Sequence, residues 1–414
     1  MRPVTSHLRR VVDPDAQGIV SADEVKELFR ERLGVEPDEV EIEALVKQPY
    51  VHIYSRILQL FKRQGRPLAE TQTNVVPVLM LFRNNESYIE TSLPTILDVL
   101  QRALELLHMR PRFYFYENNS KDNTRHLLRR VAEERDAMLV TEDLPDVKQG
   151  GDRTSTRCKR MALCRNAVMS MALPDIVSAP LVLMLDTNVF FSVNTVLHLA
   201  HALTISPRVG MTTACTMDAR NPEHYYDTYA YMDLKDLQRR NPYISVHRYH
   251  CMLRTCNQCA HFQRLYLETI NPNQPAVRDV ASAFAGIAAL RPAAMLSSQW
   301  FSQNNLCEHI DFCKHMRQAG YRVCLLPYAH AEWAATFDLV QQSRSVANRL
   351  QKLCRQPLNL GLSKKIRTLQ LEATGEHDNG EPGREYDHLR AAPRPVSAAK
   401  RRVRVPRVSR KLPS

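Results

Sequence analysis

Glycine is scarce in this chain, 12 among 414 residues, and neither a G-x-G-x-x-G nor a G-x-x-x-x-G-K-[ST] run occurs. The backbone-amide cradles that hold phosphates in P-loop enzymes, dinucleotide-binding folds and Gly-rich kinase loops are therefore unsupported. No cysteine precedes Cys158, and the ten cysteines are scattered as far as Cys354. A chain of this length does not need disulfide staples, so they read mainly as reduced core thiols. Long apolar runs are missing too: the best, Leu181 to Phe191, is interrupted by Asp186, short of the roughly 18 to 20 residues that cross a bilayer. The arginines of residues 1–10 are not followed by the apolar region of a secretory signal, so the cytosol is the expected compartment.

Hydrophobic residues make up 44% and charged residues 24% of the chain, the balance of a globular protein and not of a disordered one. Charge is distributed unevenly. Residues 391–414 carry Arg394, Lys400, Arg401, Arg402, Arg404, Arg407, Arg410 and Lys411 and no acid, so two-thirds of the net charge of +12 resides there. The texture divides the chain into a helical module over 1–66, an α/β domain over 67–345, a helical extension over 346–370 and a disordered basic tail over 371–414.

Within the α/β domain, strands are expected at Val75–Phe82, Phe113–Tyr116, Ala137–Val140, Leu181–Leu185 and Tyr321–Leu326. The spacing of Ile89, Leu93, Ile96, Leu97 and Leu100 predicts a helix, as does that of Met161, Cys164 and Val168 and the run near Asp311–Ala319. Alternation of this kind builds a mostly parallel sheet. Ligands in such sheets sit beyond the carboxyl ends of the strands, and the residues there are polar: Arg83, Asn84, Asn85 and Glu86 after the first strand, Glu117 to Thr124 after the second, Asp186, Thr187 and Asn188 after the strand at 181–185. Asn and Asp in these places also make turns and helix caps, as Ser120 or Asp122 would.

The ordered set, with Cys164-Arg165-Asn166-Ala167 between the second and third clusters, resembles the nucleotide-sugar half of family-2-like GT-A glycosyltransferases. Phe284-Ala285-Gly286, then Cys307-Glu308-His309-Ile310-Asp311, then Leu326-Pro327-Tyr328-Ala329-His330 look like the acceptor half. Together with Thr216-Met217-Asp218 and Tyr225-Tyr226-Asp227-Thr228 the pattern is similar to the fungal capsule-associated (cryptococcal-type) mannosyltransferases and related enzymes of large DNA viruses, over about residues 75–335. The resemblance implies a GT-A fold and transfer of a hexose, mannose first, from a nucleoside-diphosphate sugar to a glycan or protein hydroxyl. By it, Arg83, Asn85, Glu117, Asp122, Arg165, Asn166 and Asp186 contact the donor; Asp186, Asn188 and His330 hold Mn²⁺ or Mg²⁺; Glu308, or Asp311 in its place, serves the acceptor hydroxyl. Asn188 departs from the acidic residue of the family's metal motif, and an amide is a weaker ligand for a hard cation. Arg157, Lys159, Arg160 and Arg165 are cations able to offset a diphosphate's charge. Inverting and retaining chemistry both stay open.

Two side signals lie outside that pattern. Asp13, Asp15, Gln17, Ile19, Ser21 and Glu24 fit the register of an EF-hand Ca²⁺ loop with Gly18 at its turn; the alternative is an Asp-rich turn that caps a helix. Cys251, Cys256, Cys259 and His261 have the chemistry of a Zn²⁺ site, or are reduced loop cysteines. Two other function classes compete: a non-catalytic binding or scaffold protein with a Ca²⁺-sensing module, favoured by Asn188, and a nucleic-acid-associated protein whose basic tail meets an anionic partner.

Overall fold

The computed structural model describes residues 11–12, 21–46, 48–63, 73–144, 155–219, 221–234, 277–301, 307–334 and 344–356. The first four positions of the Ca²⁺ register (13–19), the Cys/His cluster at 251–261 and the basic tail lie outside them. After β1 (Val11–Val12) come α1 (Ala22–Leu33), α2 (Glu39–Leu45) and α3 (Tyr50–Arg63). Ser21 and Glu24 form a reciprocal capping box at the start of α1, and Gly34, left-handed at φ 64°, ends it. The α/β part begins with β2 (Val75–Phe82), α4 (Glu86–Thr91), α5 (Leu93–Glu105), β3 (Arg110–Asn118), α6 (Thr124–Glu134) and β4 (Met138–Glu142). It continues through α7 (Ser155–Met171), α8 (Leu173–Ile176), β5 (Val182–Leu185), β6 (Val189–Phe191), α9 (Val193–Thr204), β7 (Val209–Asp218) and β8 (Asn221–Tyr225). Last come β9 (Arg278–Val280), β10 (Ile287–Leu290), α10 (Pro292–Leu296), α11 (Glu308–Gln318), β11 (Arg322–Trp333) and α12 (Arg344–Cys354). The helix expected from Ile89, Leu93, Ile96, Leu97 and Leu100 is two helices, because Pro94 in the first turn of α5 starts a new one.

The strands join in one sheet, in the order β1-β4-β3-β2-β5-β10-β7-β11-β6, with β8 on β7 and β9 on β11. From β1 to β5 all pairings are parallel, and β7 is parallel to β11; β10, β6, β8 and β9 run antiparallel to their neighbours. The chain moves outward from β2 to β3 and β4, then returns to place β5 on the other side of β2. That reversal opens a crevice at the carboxyl ends of β2 and β5, where a ligand fits an open α/β sheet.

Helices cover both faces. On one face, Tyr114, Tyr116 and Met184 of the sheet share a single apolar cluster with Phe29, Ile53, Tyr54 and Ile57 of the N-terminal helices and Val168 of α7. The opposite face packs Phe115, Leu183 and Leu326 against Leu97 of α5, Leu128 of α6, Leu197 of α9 and Leu350 of α12. At about 1.5–3 kcal/mol for each fully buried large apolar side chain, the five core residues of α3 with zero exposure (Val51, Ile53, Tyr54, Ile57 and Leu58) bind the N-terminal helices firmly into this core. Two polar contacts join them at its ends. Glu142 accepts from the Val51 N–H at 2.9 Å, and Lys62 at the other end of α3 donates to the Ser298 carbonyl. Among the described residues no helix is long and apolar enough to cross a membrane.

Candidate active site

Four elements bring charged side chains to the crevice: the turns after β2 and β5, the α7 helix that precedes β5, and the start of α11. Arg165, on α7, is 2% exposed. Its Nη2 donates to Asp186 Oδ1 at 2.9 Å and its Nε to Glu308 Oε1 at 3.2 Å, while Nη1 is buried with no partner. The guanidinium also lies 4.7 Å from the centre of the Phe284 ring. Burial pulls the Arg165 pKa down, but Asp186 and Glu308 outweigh it and the net direction is up, so the cation stays charged. Glu308 is 4% exposed. Besides Arg165 it meets the Cys307 thiol, 3.7 Å from Oε2. His309 stacks on Phe284 at 4.0 Å, and burial, with Arg165 and Arg157, holds it well below the usual imidazole range. It is a neutral spacer.

Asp186 is about a quarter exposed and is placed by its own N–H, which donates to the Gly286 carbonyl at 2.8 Å. Ala285 and Gly286 are both left-handed, at φ 59° and 73°, and a Cβ on Gly286 would run into Val189. The Phe284-Ala285-Gly286 run is thereby explained as a turn that braces Asp186. Asp227 completes the brace. Its Oδ2 accepts from the Ala285 N–H at 2.7 Å and its Oδ1 from the Ala230 N–H at 3.3 Å. Desolvation pushes its pKa up to about 6; the Ala285 N–H opposes this, and the negative charges of Asp186 and Glu308 add to it. Asp227 is therefore a third carboxylate within electrostatic reach of Asp186 and Glu308, held by backbone N–H groups. Sequence reasoning did not assign it a role, although it lies in the quoted Tyr225–Thr228 run.

Arg157 and Arg160 precede Arg165 on α7. Burial lowers the Arg160 pKa, and the neighbouring Arg83 and Arg157 lower it further. Arg83 keeps a buried Nε without a partner. Like charges assembled this way, with unused donors, suit an anion. Lys159 is exposed on the same helix.

The other expected contacts have different surroundings. Asn166 is clamped to Trp300: its Nδ2 donates to the Trp300 carbonyl at 2.6 Å and its Oδ1 accepts the Trp300 N–H at 3.1 Å. Asn85 Oδ1 accepts from the Arg83 N–H at 2.8 Å, and its own N–H donates to Thr124 Oγ1 at 2.6 Å. Asp122 accepts from the Glu86 and Thr124 N–H groups, both at 3.1 Å. Glu117, fully buried, accepts from the Ser120 N–H at 2.7 Å and pairs with Arg125 at 2.6 Å. Asn85, Asp122 and Glu117 lock the turns after β2 and β3 to each other and to the core, while Asn166 ties α7 to Trp300. Asp311 is buried in the first turn of α11.

Asn188 is left-handed at φ 62°, a conformation Asn tolerates, and its Nδ2 donates to the Ala334 carbonyl at 3.0 Å. An aspartate there could not donate, which accounts for the amide in place of an acid. His330, expected just after a strand, lies inside β11, where Nε2 is 3.4 Å from Glu332 Oε1; Glu332 is also paired to Arg349 at 2.9 Å. Among the described residues no three His, Cys, Asp or Glu side chains converge as a metal-binding group. The oxygens of Asp186 and Asn188 suit a hard cation held largely by phosphate and water. Of the Ca²⁺ register, Ser21 and Glu24 are engaged with each other, and Glu24 Oε1 also accepts from the Tyr50 hydroxyl at 3.2 Å.

A family profile described as Cryptococcal mannosyltransferase 1 matches residues 80–324. Among solved structures, the mannosyltransferase PcManGT from Pyrobaculum calidifontis, in complex with GDP-Man and Mn²⁺, aligns with a TM-score of 0.37 at 12% identity, over 86% of this chain and 88% of that one. TarS 1-349 from S. aureus aligns with a TM-score of 0.37 at 12% identity, over 72% and 70% of the two chains. GalNAc-T7 with UDP, GalNAc and Mn²⁺ gives 0.39 at 9% identity, over 72% of this chain and 54% of that one. Curated protein sequences yield no match.

Proposed function

The chain belongs to the Cryptococcal mannosyltransferase 1 family, and from that premise we propose that it transfers a hexose, mannose first, from a nucleoside-diphosphate sugar to a glycan or protein hydroxyl. The observation that carries this reading is Arg165, buried and charged between Asp186 and Glu308, with Arg83, Arg157 and Arg160 nearby.

A sugar leaves its diphosphate as negative charge accumulates on the phosphate oxygens, and a preorganised cation in a water-poor site offsets that charge. The unpartnered Nη1 of Arg165 and Nε of Arg83 are donors ready for it. As the diphosphate draws on Arg165, the carboxylates of Asp186 and Glu308 lose part of their counter-charge. Glu308 is the carboxylate held beside that guanidinium, and it is the group that would accept the proton of an acceptor hydroxyl brought within hydrogen-bonding distance. A divalent cation, Mn²⁺ or Mg²⁺, would be held by Asp186 and Asn188 together with the donor phosphates, and would add to the neutralisation of the leaving group.

Thermal unfolding with GDP-mannose, UDP-glucose and UDP-N-acetylglucosamine, each with EDTA, Mn²⁺ or Mg²⁺, tests the proposal, since a ligand of the native state must raise its melting temperature. One donor is expected to stabilise the protein. Asp186→Asn is expected to abolish transfer from that donor while leaving a folded protein. Transfer retained in Asp186→Asn, or no stabilisation by any donor, would overturn the proposal and favour a non-catalytic binding role.

A further inference from the structure

Glu308 and His309 open α11, and Trp300 is joined to both through a short run of contacts. The Trp300 main chain is clamped by Asn166 at its carbonyl and its N–H. Its indole is 1% exposed and lies flat on Phe312, ring centres 3.8 Å apart and planes at 3°. From that fixed position indole Nε1 donates to His309 Nδ1 at 3.4 Å. The imidazole is fixed in its turn, 3% exposed and stacked on Phe284 with planes at 11°. Its other nitrogen, Nε2, is 3.6 Å from Glu308 Oε1, the same oxygen that accepts from Arg165 Nε at 3.2 Å.

The chemistry of the two rings decides where the proton sits. An indole nitrogen donates and does not accept. Nδ1 of His309 must therefore offer its lone pair, and the single proton of a neutral imidazole is left on Nε2. A general base needs a lone pair facing the proton it takes. The lone pair of His309 is already used by Trp300, so this side chain is no base for an acceptor hydroxyl. What it supplies is an N–H directed at Glu308 Oε1, beside the N–H of Arg165 and without a second positive charge. At 3.6 Å the contact is longer than a hydrogen bond, and a movement of about half an ångström closes it; catalytic contacts of this kind tighten in the substrate complex.

We propose that His309 is a positioning residue for Glu308, a neutral N–H donor whose tautomer is set by Trp300 and which, with Arg165, holds the carboxylate in the orientation that meets the acceptor hydroxyl. The proposal rests on the reading of Glu308 as the group that serves that hydroxyl, and adds the two residues that hold it for the task.

The test has two readouts on the full chain. Imidazole ¹⁵N shifts of the histidine-labelled protein report the tautomer without any turnover, and the resonance missing from His309→Gln identifies His309. Protonated Nε2 and unprotonated Nδ1 are expected from pH 6 to 8, with both tautomers present in Trp300→Phe. The second readout is release of nucleoside diphosphate from the donor that stabilises the protein, with mannobiose, mannotriose or water as acceptor. His309→Phe keeps a ring on Phe284 and removes the N–H, so kcat should fall about tenfold while donor KM and donor stabilisation stay as in the parent. His309→Gln can accept from Trp300 through its carbonyl and donate to Glu308 through its amide, and should recover most of the loss. A packing role alone would instead favour His309→Phe, the variant that keeps the stack. A proton on Nδ1, undiminished kcat in His309→Phe, or a kcat in His309→Gln no higher than in His309→Phe would overturn the proposal while the transferase reading stands. A parent that turns over no donor would mark failure of the transferase reading itself and take the proposal with it.

Discussion

Two sets of carboxylates lie at the same edge of the sheet, and they are satisfied in different ways. Around Arg165, the acids Asp186 and Glu308 meet a cation and the donors of the group are incompletely used. In the turns after β2 and β3, Asp122 and Glu117 meet backbone N–H groups, with Arg125 closing on Glu117 from the side. At the end of β4, Glu142 accepts from the Tyr116 hydroxyl and the Val51 N–H, and its Oε2 has no partner. Saturated groups such as Asp122 and Glu117 fix a shape. A buried cation with a donor left over is prepared for a ligand, because an unmade hydrogen bond in a low-dielectric site is costly until something completes it.

Removing the cation should break this contrast most strongly. Arg165→Ala leaves Asp186 and Glu308 facing each other without a counter-ion, a loss of about 3–5 kcal/mol in stability by comparison with other broken buried pairs. Arg165→Lys keeps the charge and loses the fork that reaches both acids. It is expected to stay folded and to lower kcat for donor turnover by about 10²–10³-fold, the effect of losing one preorganised donor to a developing anion. Stopped assays on the two variants check this. Undiminished turnover in Arg165→Lys would make the cluster purely structural.

Glu142 sharpens the comparison from the other side, because it has no cation to keep it ionised. Burial pushes its pKa up to about 7; the Tyr116 hydroxyl and the Val51 and Tyr50 N–H groups oppose this, and Glu117 adds to it. The folded protein therefore binds a proton at Glu142 that the unfolded chain has released above its ordinary value near 4.5. Stability contributed by that proton is full at low pH and is lost as pH rises from about 4.5 through about 7, a difference of about 3 kcal/mol at pH 8. Asp227, raised to about 6, acts in the same direction over a lower window. Glu142→Gln keeps an acceptor for Val51 and Tyr116 without the ionisation. Melting curves from pH 5 to 8 should be flatter for this variant than for the parent, and its melting temperature should be the higher one at pH 8.

Strands ending in polar turns, and the helix that carries Arg165, were legible in the sequence because burial on both faces writes continuous apolar runs and helical spacing writes periodicity. The antiparallel strands β6, β8, β9 and β10 were not, since three to five residues give too little pattern. The continuation of β11 to Trp333 was hidden by Pro327, which falls at a register shift between Leu326 and His330 where a strand can tolerate it. In the site, Arg165, Asp186 and Glu308 were picked out and the structure brings them into contact. Asp227 was missed because its partners, the Ala230 and Ala285 N–H groups, include a backbone group 58 residues away, and no side-chain spacing announces a bond to the main chain. The same blindness explains Asn166, whose residue type suits a phosphate contact and whose side chain instead clamps Trp300.

Asp122 gives the smallest effect and the finest discrimination, because the resemblance assigns it to the donor while its geometry gives both oxygens to N–H groups of Glu86 and Thr124. Those bonds lie near the surface, so Asp122→Ala should cost about 1–2 kcal/mol. Asn84, whose Oδ1 accepts from the Lys121 N–H at 2.8 Å, would still join the two turns and hold the crevice near its present shape. Asp122→Asn retains one acceptor oxygen and should recover part of the loss. If the carboxylate only knits the turns, donor affinity falls no further than stability does, and the two variants rank alike in melting temperature and in donor stabilisation. If Asp122 itself meets the nucleoside, Asp122→Asn will melt close to the parent and yet fail to be stabilised by the donor. The ratio of the two shifts thus separates a residue that builds the crevice from one that touches what enters it.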